Sequence, residues 1–171
     1  VLAALDLDVA HGDGGHAAGQ LDPLRSAVDA EVVFKESAFG SMLQNFKSEA
    51  LFPFRMILCL GNALPHLLSI EQIQSALWDL GSCLQPGGHL VLQNRNFDAI
   101  CKNRERWIEP QARRADNEEW IFLRFYDFDS DGLITFNILR LHRQETDNWE
   151  QRVSTTRLYP LKRDTLVGLL E

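Results

Sequence analysis

Residues 54–62, FRMILCLGN, decide the fold of this chain. Residues 54–60 are apolar apart from Arg55, and Gly61-Asn62 is typical of a turn, so we predict a buried strand over residues 54–60. Up to about residue 98, apolar runs alternate with helical patterns, which is typical of βα units on a parallel sheet. The stretch therefore predicts an α/β fold with this strand inside a parallel sheet.

The next residues continue that alternation. Ser69 and Gln72 have the spacing of a capping box. An apolar stripe then follows at steps of three and four residues: Ile70, Ile73, Leu77, Leu80 and Leu84. We predict a helix that Pro86-Gly87-Gly88 ends, and then a strand over residues 89–93.

The two flanks of this region differ in their patterns. Residues 1–9 predict a buried strand that leads into a glycine cluster, and residues 24–30 predict a short helix. From residue 119 the apolar period becomes two. This period predicts antiparallel strands over residues 119–127, 133–142 and 149–158, with a turn at residues 129–132. Before these strands, the polar residues 102–118 predict an exposed loop or helix. After them, a helix is predicted from residue 161 onward.

The composition narrows the classes of protein that fit. The 171 residues are typical of one domain, and the net charge of −7 argues against a surface that binds a whole nucleic-acid duplex, leaving only a local basic patch open. No apolar run approaches the roughly 20 residues that span a bilayer, and no secretory signal is evident. The three cysteines lack CxxC spacing, which favours free thiols over structural zinc. We expect a cytoplasmic protein without membrane or nucleic-acid partners.

The sequence at both ends of the chain leads us to expect a fragment of a larger domain. The chain opens within the apolar run 1–5 without an initiator methionine, and it stops at Glu171 inside a helical pattern. We expect one domain over residues 1–171, with a cofactor-binding α/β part over 1–98 and the start of a C-terminal helix over 161–171.

The glycine loop at residues 8–16, DVAHGDGGH, follows the first predicted strand. Glycines let a backbone approach a ligand closely, and a helix N-terminus beyond them offers free N–H groups. Gly12, Gly14 and Ala17 also satisfy the dinucleotide pattern GxGxxG/A, so an NAD(P)-binding domain is one alternative. An ordinary glycine-rich turn is another.

Four segments resemble class I S-adenosylmethionine-dependent methyltransferases. Residues 7–16, LDVAHGDGGH, resemble the family's first motif, LDVACGTGGH. Residues 59–67, CLGNALPHL, resemble its segment CLGNSLPHL, and residues 84–92, LQPGGHLVL, resemble LKPGGxLVL. Residues 93–98, QNRNFD, resemble the HRNYD run of the glycine and sarcosine N-methyltransferase group. The segments have the order and spacing of the family, most clearly over residues 54–98.

The resemblance implies a Rossmann-like fold with a mostly parallel sheet and a C-terminal antiparallel region. It implies methyl transfer from S-adenosylmethionine to a small acceptor, with the amine of an amino acid as the candidate. Asn62 and Arg95 would grip the carboxylate of that acceptor, a role that suits the planar fork of arginine. The residues that it implies for the cofactor are Asp8, Gly12, Gly14, Asp22 (with Asp29 as the alternative), Phe39, Leu60, Asn62 and His66. We assign no catalytic acid or base and no metal, and we leave a homo-oligomer open.

Three departures from the family pattern predict weak cofactor binding. Asp13 adds a negative charge beside the expected position of the cofactor carboxylate, Ala38 replaces the acid expected beside the adenine, and the segment 15–31 is too short for a complete βα unit. A methyltransferase-like domain without activity is therefore the main alternative.

Residues 127–135 copy the first nine positions of a calcium-binding EF-hand loop. The twelfth position, which requires a bidentate glutamate, is Ile138, and the flanks alternate like strands. We predict an acidic hairpin turn that binds no calcium.

Overall fold

Two sheets organise the residues that the computed structural model describes, which are 36–49, 52–115, 117–144 and 148–171. The strands are β1 (Phe54–Cys59), β2 (Leu84–Leu92), β3 (Trp107–Ala115), β4 (Glu118–Phe128), β5 (Ile134–Arg143) and β6 (Glu150–Leu158). The helices are α1 (Met42–Phe46), α2 (Ile70–Ser82), α3 (Phe97–Asn103), α4 (Arg163–Leu170) and a short 3₁₀ helix (Leu64–His66). Within these described ranges, no helix has the length and apolar character needed to cross a bilayer.

The described residues divide into two compact units. The first contains the described residues up to Ala63 together with Ser75–Asn94. The second contains Leu64–Gln74 and the residues from Arg95 onward. The first unit holds the parallel pair β1–β2, and the second holds an antiparallel sheet in the order β3-β4-β5-β6.

The first unit packs around a buried cluster of Met42, Ile57, Leu80 and Cys83. The strand predicted over residues 54–60 is confirmed as β1. A residue of α2 caps the beginning of helix α1. Both carboxylate oxygens of Asp79 accept hydrogen bonds from backbone N–H groups, from Met42 at 2.7 Å and from Leu43 at 3.0 Å. The carboxylate thus takes the role of an N-cap that Ser41 leaves unfilled.

The boundary between α2 and β2 differs from the prediction. The helix ends at Ser82, before the Pro86-Gly87-Gly88 turn, and the strand already begins at Leu84. Leu84 pairs with Phe54 and His89 with Met56, so the four residues between Leu84 and His89 form an irregularity in the ladder. Proline and glycine are tolerated in a strand at such a bulge, and the side chains of Leu84 and Phe54 both pack against the buried cluster.

The beginning of α2 is confirmed as predicted. The Ser69 hydroxyl accepts a hydrogen bond from the Gln72 backbone N–H at 3.3 Å, and the Gln72 side chain accepts one from the Leu68 N–H at 3.0 Å. The apolar stripe is buried at Ile73 and Leu77. Local capping and the apolar stripe therefore agree on the position of this helix.

The second unit confirms the three predicted antiparallel strands and adds one that the sequence did not indicate. Residues 102–118 were predicted as an exposed loop or helix, but most of them form β3, which pairs with β4. Nearly every residue of β3 is exposed, because it lies at an edge of the sheet, so the apolar alternation that marks a half-buried strand is missing. The core of this unit consists of Phe97, Ile100, Tyr126, Ile134 and Leu158.

The acidic side chains of the turn between β4 and β5 have hydrogen-bond and ion-pair partners within the same sheet. The Thr135 hydroxyl donates to Asp129 at 2.8 Å, and Arg157 pairs with both Asp129 and Asp131. The hydrogen bond from Arg157 is the main cause that holds the pKa of Asp131 below its usual range. These carboxylates therefore stabilise the hairpin itself.

We expect that calcium will not stabilise this turn. A calcium loop needs a bidentate carboxylate at its twelfth position, where the chain has Ile138. The measurement is the melting temperature of the chain at sub-millimolar calcium, with Asp129→Ala as the comparison. A calcium-dependent rise that Asp129→Ala abolishes would contradict the prediction.

Candidate functional site

A fixed turn follows β1. Gly61 and Asn62 both adopt left-handed backbone angles, with φ of 73° and 63°. Gln93 holds this turn through three hydrogen bonds: its side-chain oxygen accepts from the Gly61 N–H at 2.8 Å, its carbonyl accepts from the Asn62 N–H at 3.3 Å, and its own N–H donates to Cys59 at 2.9 Å. The turn is therefore shaped by a residue of the neighbouring chain segment, beyond the end of β2.

The position of this turn suits a ligand. It lies at the carboxyl end of a parallel strand, which is where open α/β sheets bind ligands. A methyl group placed on Gly61 would contact none of the described residues within 4 Å, so the backbone is open at this point. Leu60 and Asn62 are partly buried, and the Asn62 amide can both donate and accept hydrogen bonds.

Apart from His66, the remaining cofactor residues that the sequence predicts are either packed against the core or outside the described residues. Phe39 packs against the buried cluster of the first unit, and a role beside an adenine stays a prediction. Asp8, Gly12, Gly14 and Asp22 lie outside the described residues, as does the whole glycine loop.

In the second unit, His66 and Arg95 come to the same part of the antiparallel sheet. The guanidinium of Arg95 lies 5.9 Å from the centre of the Phe136 ring. The Nδ1 atom of His66 lies 3.4 Å from the Thr156 hydroxyl oxygen. Because Phe136 and Thr156 pair directly across β5 and β6, their side chains share one face of the sheet. Two residues that the sequence singled out separately therefore flank one cross-strand pair.

Tyr126 belongs to this site, although the sequence analysis did not assign it. Its ring is buried and lies 5.3 Å from that of Phe136. Burial raises the pKa of the Tyr126 hydroxyl, while the nearby charges of Arg95 and Arg124 act to lower it. The period-two pattern of β4 places Tyr126 on the same face as Arg124, but no local signal indicates the approach of Arg95.

Comparisons with known proteins establish the fold. No family model matches the chain, and no curated protein matches it. A methyltransferase of Clostridium acetobutylicum that depends on S-adenosylmethionine is similar in structure, with a TM-score of 0.62, 9% identity, and coverage of 90% of this chain and 57% of that one. The chain has a methyltransferase fold.

Two further solved structures share this methyltransferase fold. CalS10, an amino pentose methyltransferase of Micromonospora echinaspora solved with S-adenosylmethionine bound, gives a TM-score of 0.56 at 17% identity, over 68% of this chain and 48% of that one. The sugar N-methyltransferase KedS8 of Streptoalloteichus gives 0.57 at 13% identity, over 68% and 46%. The chain thus spans about half the length of these structures. The predicted α/β fold, with parallel strands followed by an antiparallel region, is confirmed.

Proposed function

We propose that this chain is a Rossmann-like methyltransferase domain that transfers a methyl group from S-adenosylmethionine to the amine of a small acceptor. The carrying observation is the methyltransferase fold, which has the open turn Gly61-Asn62 at the carboxyl end of its parallel pair. The sequence resemblance over residues 54–98 supports the same activity independently of the fold. The proposal covers residues 1–171 as one domain.

The cofactor would be held by residues from several segments. Gly61 offers open backbone, and the Asn62 amide contains both a donor and an acceptor, so both residues fit a polar ligand at this turn. When bound, S-adenosylmethionine supplies a methyl group that is already activated, so the protein chiefly positions the acceptor. The residues proposed to hold the cofactor are Asp8, Gly12, Gly14, Asp22, Phe39, Leu60, Asn62 and His66.

The proposed acceptor is an amino acid, because Arg95 suits a carboxylate. Arg95 is partly buried, and its guanidinium carbon lies 5.9 Å from the centre of the Phe136 ring. A planar guanidinium group matches the two oxygens of a carboxylate. KedS8 is a sugar N-methyltransferase, which supports an amine as the methyl acceptor on this fold. A neutral amine can attack a methyl group without a dedicated base, so the proposal assigns none.

The test is direct binding of S-adenosylhomocysteine by calorimetry, followed by methyl transfer to glycine and sarcosine. We expect binding weaker than micromolar, because Asp13 brings a like charge close to the expected position of the cofactor carboxylate. Asn62→Gly is the matched variant, since glycine keeps the left-handed angle while the amide is removed, and it should weaken binding about 10-fold.

Each other outcome points to a different conclusion. Submicromolar binding would contradict the interpretation of the first 40 residues. Binding without transfer to any amine would favour the domain without activity. Binding of NADH in place of S-adenosylhomocysteine would favour the dinucleotide-binding alternative, and no binding of either at millimolar concentration would overturn the proposal.

A further inference from the structure

One face of the antiparallel sheet is apolar across its middle. Residues that pair directly across two strands share a face, and successive residues of one strand alternate between the two faces. The register therefore brings three side chains of β4, two of β5 and one of β6 to the same face. We call this set the apolar face, and its members are Ile121, Leu123, Phe125, Leu139, Leu141 and Val153.

The apolar face lies on the side of the sheet that helix α3 does not cover. Phe97 of α3 packs with Tyr126, which follows Phe125 in β4 and so points to the other side of the sheet. None of the six side chains of the apolar face is buried, and Val153 is 63% exposed. Trp107 pairs with Phe125 on the same side and is 64% exposed. Among the described residues, therefore, neither of the two buried clusters described above extends over the apolar face.

The charged residues that the register places on this side of the sheet lie at its two ends, and each of them pairs with an opposite charge within the chain. The pairs at one end are Arg114–Glu119 at 3.0 Å and Arg143–Glu119 at 2.7 Å, and those at the other end are Arg106–Asp127 at 2.8 Å and Arg157–Asp129 at 3.5 Å. An ionic ligand would have to displace one of these partners. An apolar centre within a polar rim is instead the usual anatomy of an interface between proteins.

The size of this side of the sheet suits a stable dimer. Its four strands have nine to eleven residues each. With strands about 4.8 Å apart and a rise of about 3.4 Å per residue, they form a flat area of roughly 600 Å². Side chains add relief, so the accessible area is larger than the flat area and approaches the roughly 800 Å² that each partner buries in an interface of standard size. A second copy of the sheet is therefore large enough to cover the first.

We propose that this chain forms a two-fold dimer in which the apolar faces of two copies stack. A two-fold interface uses the same patch on both subunits, so the patch must be complementary to itself. A sheet face with an apolar centre and paired charges meets that condition, because two such sheets pack about 10 Å apart with interdigitating side chains. Stacking also removes the exposed side chains of Val153 and Trp107 from water on both copies. The inference concerns assembly and does not depend on methyl transfer.

The test is sedimentation equilibrium of the 171-residue chain over a range of concentrations, where we expect twice the mass of one chain. Val153→Lys on β6 and Ala112→Lys on β3 each place a charge at an exposed position on this side of the sheet. Each should raise the dissociation constant of the dimer at least about 10-fold, because a two-fold dimer would bury the lysine twice. Val167→Lys on α4 is the matched control, since this valine is 42% exposed outside the sheet, and it should leave the constant unchanged.

A dimer joined through the outer edge of β3 or β6 would give a different pattern. Only the lysine variant on that strand would weaken it, and the backbone N–H groups of that edge would be protected from hydrogen exchange, whereas stacking leaves both edges exchanging. Hydrogen exchange of the unaltered chain decides between the two kinds of dimer even where a lysine variant does not fold. Protection of one edge, or an equal loss with Val167→Lys, would overturn the proposal. A chain that stays monomeric at submillimolar concentration would also overturn it, in favour of another segment of the chain or a different partner as the cover of the apolar face.

Discussion

Arg95→Ala should weaken binding of a carboxylated acceptor amine by about 10- to 150-fold. A charge-assisted contact between guanidinium and carboxylate contributes roughly 1.5–3 kcal/mol, and this range converts to that loss of affinity. Arg95 is placed for such a contact, since it is partly buried and lies over Phe136 beside the buried Tyr126. Arg95→Lys should recover only part of the affinity, because lysine keeps the charge without the fork.

The measurement compares glycine with methylamine, which lacks the carboxylate, using kinetics where the chain is active and calorimetry otherwise. Only the carboxylated acceptor should lose affinity, and the affinity for S-adenosylhomocysteine should stay unchanged. An equal loss for both acceptors, or an unchanged KM for glycine, would mean that Arg95 does not bind the carboxylate. Such a result would leave the proposed methyl transfer intact and remove the amino acid as its acceptor.

Phe97→Ala should lower the free energy of unfolding by about 3–5 kcal/mol, the usual cost of removing a buried aromatic ring. Phe97 is completely buried at the beginning of α3 and packs in the core of the second unit with Tyr126 and Leu158. The helix has only seven residues, so this contact, together with Ile100, largely decides whether it forms.

Urea denaturation measures the loss in Phe97→Ala, with Trp78→Ala as the control. Trp78 is an aromatic residue of α2 that is 76% exposed, so its removal should change stability by about 0.5 kcal/mol or less. A similar small change for both variants would show that Phe97 is not part of a tightly packed core.

The fold was predictable wherever burial leaves a periodic pattern. β1, the beginning of α2 and the strands β4 and β5 all carry apolar residues at regular steps. The strand β6 is mostly polar and exposed, with Leu158 buried at its end. β3 carries no such pattern, because it is an exposed edge strand, and it was missed. The start of β2 was misplaced because Pro86-Gly87-Gly88 is typical of a helix end, while the pairing of Leu84 with Phe54 is a tertiary contact that no local pattern reports.

Individual residues of the candidate site were predictable from the sequence, but their contacts with one another were not. The turn at Gly61-Asn62 could be placed because it follows a strand, and Arg95 because it follows the next one. The closeness of Arg95 to Phe136 and Tyr126 depends on residues 31 and more positions later in the chain, so it arises from sheet register. The contribution of Gln93 was missed for the same reason, since its side chain reaches back to Gly61.

The three hydrogen bonds that Gln93 makes to residues 59–62, two as acceptor and one as donor, also affect how a ligand binds at the end of β1. Ordering one flexible residue costs roughly 1–2 kcal/mol of conformational entropy, and binding to a loose turn bears that cost for each residue that becomes ordered. Here the left-handed angles of Gly61 and Asn62 are already set by contacts within the fold. The entropy is lost when the protein folds, so a small molecule with few contacts can bind at this turn without having to order it first.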